Sequence, residues 1–178
     1  AIVNSASIFE YDDPAGFTVA AMEKHWRANT APAILLAQAL HAQLDGCAGE
    51  RAERTGCVVN LLDQKLWNPN PDYFSYTLSK AALQCATVML AQALAPRVRV
   101  CGVAPGVTLV SGPMNAAEFA QAHAMTPLAR SSTPEDIAHA VRFLIESPAI
   151  TGTTLLVDGG QHLAVQPRDV LYLARQNH

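Results

Sequence analysis

Cys57-Val58-Val59-Asn60-Leu61-Leu62-Asp63, the alanine-rich run from Phe74 to Leu94, and then Arg97-Val98-Arg99-Val100-Cys101-Gly102-Val103 decide the fold. The first and last pieces are apolar and β-branched, the composition of strands covered on both faces. The middle piece is rich in Ala, Leu and Gln and too long for a turn, so it reads as a helix. A strand, a crossover helix and a second strand make the repeating unit of a parallel sheet.

The alternation continues outward in both directions. Ala1 to Asn4 reads as the end of a buried strand and the stretch around Asp12 to Gly16 as a loop. From Thr18 to Leu44, Met22, Trp26, Leu36, Leu40 and Leu44 fall at helical spacing, which predicts one long helix kinked at Pro32. Gly46 to Thr55 is a polar loop, and Asp63 to Asp72 carries the turn residues Asn68-Pro69-Asn70-Pro71, again a loop. Pro105-Gly106 ends the strand that begins at Arg97, and Asn115 to Ala124 forms a short helix. Pro134 to Ile145 follows Ser131-Ser132-Thr133, a capping cluster with Pro at the first helical position and acidic residues behind it. Thr153 to Val157 is the last strand, Asp158-Gly159-Gly160 turns the chain, and the tail from Arg168 adds a final helical turn. The 178 residues suit one α/β domain and show no internal repeat.

Composition removes several function classes. Half the residues are hydrophobic and 15% are charged, with 12 Lys and Arg against 15 Asp and Glu, a net charge of −3. That excludes a disordered chain and leaves no basic excess for nucleic acid. The apolar run from Ala31 to Ala42 is broken by Pro, Gln and His before the ~20 residues a membrane span needs. Cys47, Cys57, Cys85 and Cys101 form no CxxC pair, so neither a metal site nor a disulfide scaffold is expected. Cys57 and Cys101 lie in apolar runs and are expected to be buried thiols. His25, His41, His123, His139, His162 and His178 have no ligand spacing and are expected at the surface or satisfied by polar neighbours. The cysteine usage leads to the expectation of a reducing, cytoplasmic setting, and the opening residues, without a basic segment or an apolar run, do not read as a signal peptide. Because Ala1 falls in mid-strand, preceding sequence is expected to be missing or to belong to another chain.

Tyr76 and Lys80 stand four apart on one helix face and reach the same small volume. An ammonium there is expected to lower the phenol from about 10 towards neutral and make it a useful acid. Asp63, 13 residues before the tyrosine, ends a strand, the place where open α/β sheets hold ligands. It reads as a reactive carboxylate or as an ordinary loop-entry cap. Asn29 lies inside the long helix, where an amide holds a water, frees a carbonyl, or is only a surface group. Gly106, in Pro105-Gly106-Val107-Thr108, reads as a glycine that admits a ligand close to the backbone. Phe9 is either core or a stacking platform.

In this order the pieces resemble the short-chain dehydrogenase/reductase family. Asn4-Ser5-Ala6-Ser7 is similar to its Asn-Asn-Ala-Gly segment, with Ser5 in place of the second Asn. Asn29, Tyr76-Thr77-Leu78-Ser79-Lys80, Pro105-Gly106 and Thr151-Gly152 through Asp158-Gly159-Gly160 follow in the family's sequence. Asp63, where most members carry serine, and Ser7-Ile8-Phe9 resemble the pteridine reductase branch. The family's glycine-rich turn has no counterpart here, nor do roughly its first three strands.

The resemblance implies the C-terminal two-thirds of a three-layer, Rossmann-like, doubly wound parallel sheet. It implies an NADPH-dependent reductase of a pterin or dihydrofolate-like substrate, with NADH not excluded. Tyr76 would deliver the proton, Lys80 would tune it and hold the nicotinamide ribose, Asn29 would anchor a relay water, and Asp63 would orient Tyr76 or share its proton. Asn4, Ala6, Ser7, Tyr76, Lys80, Pro105, Gly106, Val107 and Thr108 would line the cofactor. Phe9, Asp63 and Tyr76 would meet the substrate. A homotetramer built on the two long helices is implied, or a second chain carrying the first strands, and the 178 residues alone are expected to be inactive. The alternatives are a carbonyl-reducing member of the family and a non-catalytic oligomerising fragment.

Overall fold

The computed structural model describes residues 1–47 and 53–176. Residues 48–52, inside the loop expected from Gly46 to Thr55, lie outside the described residues. Strands β1 (Ile2–Asn4), β2 (Gly56–Leu61), β3 (Val98–Pro105) and β4 (Thr154–Val157) form one parallel sheet in the order β1-β2-β3-β4. In register, Val58 faces Ile2 and Val100, and Val103 faces Leu155.

Alternation along β2 and β3 builds two cores. Val58, Val98 and Val100 pack with Ala37 and Ala91 on one face, while Cys57, Val59, Cys101 and Val103 pack with Ile137 and Leu144 on the other. The first face is covered by α2 (Ala31–Asp45) and α3 (Phe74–Ala93), the second by α5 (Pro134–Glu146). A sheet buried on both sides explains why β2 reads as a continuous apolar run, each buried valine contributing about 1.5–3 kcal/mol. The architecture is the three-layer α/β sandwich anticipated from the alternating pattern.

Two local expectations are corrected. The single long helix expected from Thr18 to Leu44 is instead interrupted just before Pro32 by a π-helical turn over Trp26–Thr30, between α1 (Val19–His25) and α2. The amide of Ala31 reaches back to the Trp26 carbonyl, and that one-residue insertion lets Pro32 enter α2 in its first turn, where a missing N–H costs least. The expected loop from Asp63 to Asp72 contains a 3-10 turn, Gln64–Trp67, because the Asp63 carboxylate caps the Lys65 amide at 2.8 Å. Downstream, α4 (Ala116–Ala124) and α5 start on the reciprocal caps of Asn115 with Glu118 and Thr133 with Asp136. Gly159 and Gly160 turn the chain with positive φ, and a 3-10 turn, Gln161–Leu163, leads on to α6 (Val170–Gln176). Among the described residues no helix is long and apolar enough to cross a membrane, and no group of His, Cys, Asp and Glu could hold a metal ion.

Cys57 and Cys101 are buried, as their apolar runs imply. His25 departs from expectation: it is 1% exposed, its Nδ1 meets the Ala21 carbonyl at 2.8 Å, and its Nε2 is buried without a partner. Helix α1 packs on α3 and turns that histidine inward.

Candidate functional site

Tyr76 lies at the start of α3, buried, and its hydroxyl donates to Asp63 Oδ2 at 2.8 Å. The β2 end and the following 3-10 turn thus bring the carboxylate onto the phenol. Lys80, one turn further along α3, donates from Nζ to the Leu61 carbonyl at 2.8 Å, with Nζ 5.8 Å from the centre of the Tyr76 ring. The three side chains meet where the C-terminal end of β2 opens onto a cavity of about 550 Å³.

The expected lowering of the Tyr76 phenol is reversed. Burial first, and then the adjoining Asp63 carboxylate, push the phenol well above its ordinary range. Asp63 is raised as well, by burial, against the pull of the Lys65 amide, Tyr76 and Lys80. Burial lowers Lys80, and Asp63 opposes that. Lys80 gives its hydrogen bond to the Leu61 carbonyl, so burial, with Asp63 adding to it, sets the direction of the shift. Both Tyr76 and Asp63 hold a proton more tightly than in water, an arrangement suited to sharing one.

Asn29 sits in the π turn with both amide hydrogens engaged. Its Oδ1 accepts from the Ile8 amide at 2.8 Å, and its Nδ2 donates to the Ile8 carbonyl at 3.1 Å and to Ser79 Oγ at 3.0 Å. The side chain therefore pins the segment after β1 to α3 and has no hydrogen left for a water. Asn4 donates to Asn60 Oδ1 at 2.7 Å, and Asn60 passes the chain on to Thr87 at 2.9 Å inside the first core. Asn4, Ala6, Ala28, Asn29, Pro32 and Lys80 line a second cavity of about 240 Å³. Lys80 lines both cavities and gives one of its three N–H groups to Leu61.

One wall of the larger cavity is aromatic. Phe9 stacks on Tyr73 with ring centres 3.9 Å apart and meets Tyr76 edge-on at 4.7 Å. Tyr73 is buried and holds φ of +54°, a left-handed conformation that costs a residue with a Cβ about 1–2 kcal/mol. The segment after β1 secures this wall twice. Asp12 Oδ1 accepts from the Ser75 amide at 2.9 Å and so caps α3 from a distance, and Tyr11 donates to Asp72 at 3.4 Å. Asp72, 2% exposed, also takes Arg168 Nε and Nη2 at 2.7 and 2.8 Å and the Asp169 amide at 2.7 Å.

The opposite wall is Pro105, Gly106, Val107 and Thr108, with Ser5 and Ser7 also lining the cavity. Gly106 is required for a reason other than ligand approach: a Cβ there would meet Ser131 Oγ and come within 2.9 Å of the Asp158 Cα. The Val107 amide donates to Gln161 Oε1 at 3.2 Å, and Thr108 Oγ1 joins the Gly106 carbonyl at 2.9 Å and Ser132 Oγ at 2.7 Å. These residues fit the nicotinamide and ribose end of a dinucleotide: a buried ammonium with uncommitted donors, a phenol beside it, and a mostly apolar slot.

A family model described as Enoyl-(Acyl carrier protein) reductase matches residues 1–162. The chain belongs to the short-chain dehydrogenase/reductase family. It is 38% identical over 112 residues to a granaticin polyketide synthase putative ketoacyl reductase 2 of Streptomyces violaceoruber, covering 61% of this chain and 45% of that protein. It is 36% identical over 123 residues to pteridine reductase 1 of Leishmania tarentolae, covering 65% and 43%. In fold it is similar to a FolM alternative dihydrofolate reductase 1 from Brucella canis solved with NADP, with a TM-score of 0.84, 39% identity and coverage of 94% of this chain and 64% of that one. The chain spans under half the length of these two curated relatives.

Within this short-chain reductase site the structure brings together Tyr76, Lys80, Asp63, Phe9, Ser7 and residues 105–108 around the larger cavity, while Asn4, Ala6 and Asn29 face the smaller one. Sequence reasoning passed over Tyr73, whose left-handed backbone just before α3 carries no signal in the sequence. It also passed over Gln64, Lys65, Asp169 and Gln161, which line the same cavity from distant parts of the chain.

Proposed function

We propose that the complete protein reduces a pterin or dihydrofolate-like substrate with NADPH, taking the proton through Tyr76. The observation that carries this reading is the 2.8 Å bond from Tyr76 to Asp63 beside the Phe9 and Tyr73 stack. An ionised carboxylate at that position offers only acceptors and disfavours a developing oxyanion, so it suits a substrate with N–H groups better than a plain ketone. Support also comes from the likeness to a FolM reductase solved with NADP and to a pteridine reductase.

NADPH, when bound, supplies the hydride. Lys80 holds the ribose end with the donors it does not give to Leu61, and Ser7 and the backbone at Pro105 to Thr108 frame the nicotinamide. Phe9 covers the flat substrate ring. Tyr76, kept protonated by burial and by Asp63, hands its proton to a ring nitrogen, and Asp63 holds the phenol in line. Because the Asn29 amide is engaged, we assign the relay water to the smaller cavity and to the backbone of the π turn. There Pro32 has no N–H to offer a carbonyl one turn before it. Ala6 and Asn4 close that cavity.

We further propose a homotetramer packed through α2 and α3. Leu35 and Met89, each 62% exposed, and Leu36, Leu78 and Val88 leave apolar side chains on those helices open to cover. A second chain carrying further strands is the other partner consistent with this reading.

Steady-state oxidation of NADPH tests the proton assignment. Tyr76→Phe should lower kcat by about 10²–10⁴-fold and leave cofactor affinity nearly unchanged, whereas Lys80→Ala should damage both. A Tyr76→Phe protein that keeps more than about a tenth of wild-type kcat would remove Tyr76 from that role.

A further inference from the structure

One polar corner of the larger cavity has no part in the chemistry above. Gln64 lines the cavity next to Asp63, is 9% exposed, and carries a buried Oε1 with no hydrogen-bond partner. Leaving such an oxygen bare costs about 1–3 kcal/mol, so it is an acceptor in want of a donor. Among the described residues none supplies one.

Lys65, the next residue, and Asp169 line the same cavity. The Lys65 side chain is 5% exposed, and its Nζ donates to the Asp72 carbonyl at 2.7 Å and to Asp169 Oδ2 at 3.2 Å. Asp169 lines the same cavity from the segment entering α6 and is 16% exposed, with its other oxygen accepting from the Leu171 amide at 3.2 Å. An ionised carboxylate has about four acceptor positions and an ammonium three donors, so Asp169 keeps acceptors and Lys65 keeps one N–H. The corner adjoins the aromatic wall, since Lys65 Nζ lies 5.5 Å from the centre of the Tyr73 ring that stacks on Phe9. A flat ring lying along that wall would share the cavity with Gln64, Lys65 and Asp169.

We infer that Gln64 and Asp169 form a second recognition point, which reads N–H groups on the edge of a flat heteroaromatic substrate, with Lys65 donating to a carbonyl on the same edge. Two acceptors and one donor match a ring that presents an amino group, a ring N–H and a carbonyl in a row, the 2-amino-4-oxo edge of a pterin. A pteridine-2,4-dione puts a carbonyl where the amino group stands and sets acceptor against acceptor. An aliphatic ketone has no such edge. This specificity role rests on the pterin reading above, but it assigns residues that take no part in hydride or proton transfer.

Calorimetric titration of the complete protein, saturated with NADP⁺, with 2-amino-4-oxopteridine and with pteridine-2,4-dione tests it without turnover. The wild type should prefer the amino compound at least tenfold, and Gln64→Leu should remove most of that preference. Asp169→Asn should do the same, and it carries the test if Gln64→Leu fails to fold by circular dichroism. A wild type that binds both pteridines equally, or variants that keep the preference, would overturn the recognition point and leave the pterin reading standing. A wild type that binds neither would overturn both.

Discussion

Replacing Asp72 by alanine should destabilise the protein and loosen the aromatic wall, although Asp72 is outside the chemistry. Its carboxylate is 2% exposed and is shared by Arg168 at 2.7 and 2.8 Å, the Asp169 amide at 2.7 Å and Tyr11 at 3.4 Å. Hydrogen bonds to a charged group contribute about 1.5–3 kcal/mol each when both partners are buried. Arg168 is 41% exposed and recovers water, so its two bonds count for little, and the Asp169 amide accounts for most of the cost. A net loss of ~2–4 kcal/mol follows for Asp72→Ala, and about half that for Asp72→Asn, which keeps an acceptor. For a chain of this size that lowers Tm by roughly 4–16 °C. Burial works against the charged form of Asp72, but Arg168 and the Asp169 amide outweigh it and hold the carboxyl below its usual value. Its folded pKa is therefore depressed, and the stability it brings is present above the unfolded value of about 3.9 and is lost as pH falls through the folded one. Thermal melts at pH 7 and at about pH 3 measure both effects: the gap between wild type and Asp72→Asn should be wide at pH 7 and narrow in acid. An Asp72→Ala protein melting within about 1 °C of wild type at pH 7 would mean that the Asp72 carboxylate adds little stability.

Two smaller perturbations probe other parts of the site. Asp63 has a raised folded pKa from burial, so its contribution is fully present below the unfolded value and is lost as pH rises through the folded one. Asp63→Asn should flatten that loss and raise Tm near neutral pH while turnover falls, and melts from pH 4 to 8 that run parallel for the two proteins would contradict it. Gly106→Ala should cost about 1–3 kcal/mol, because the new methyl would lie 2.9 Å from the Asp158 Cα, and chemical denaturation would read that as a lower midpoint.

The elements were legible where local chemistry is strong. Asn115 and Thr133 announced α4 and α5 by their caps, and the apolar run at Cys57 to Leu62 announced a doubly covered strand. The π turn was not legible in kind, because Trp26, Arg27 and Ala28 carry no signal separating it from an α-helix, although Pro32 marked an interruption of the helix there. In the site, the helical spacing of Tyr76 and Lys80 could be read, but not the direction in which Lys80 turns. Lys80 bonds to the Leu61 carbonyl, and burial, followed by the Asp63 carboxylate, reverses the expected shift. Lys65 and Asp169 are 104 residues apart and meet only through the fold, so nothing in the sequence joined them.

In the proposed function, Asp63 beside Tyr76 sets the reductase for a pterin-like substrate rather than a carbonyl. NADPH oxidation by the complete protein, measured as kcat/KM on dihydropterin, a dihydrofolate-like substrate and simple aliphatic ketones, tests it most directly, with Asp63→Ser run beside the wild type. The wild type should favour the pterin class, and Asp63→Ser should shift the ratio towards the ketones. A wild type that prefers the ketones would contradict the claim.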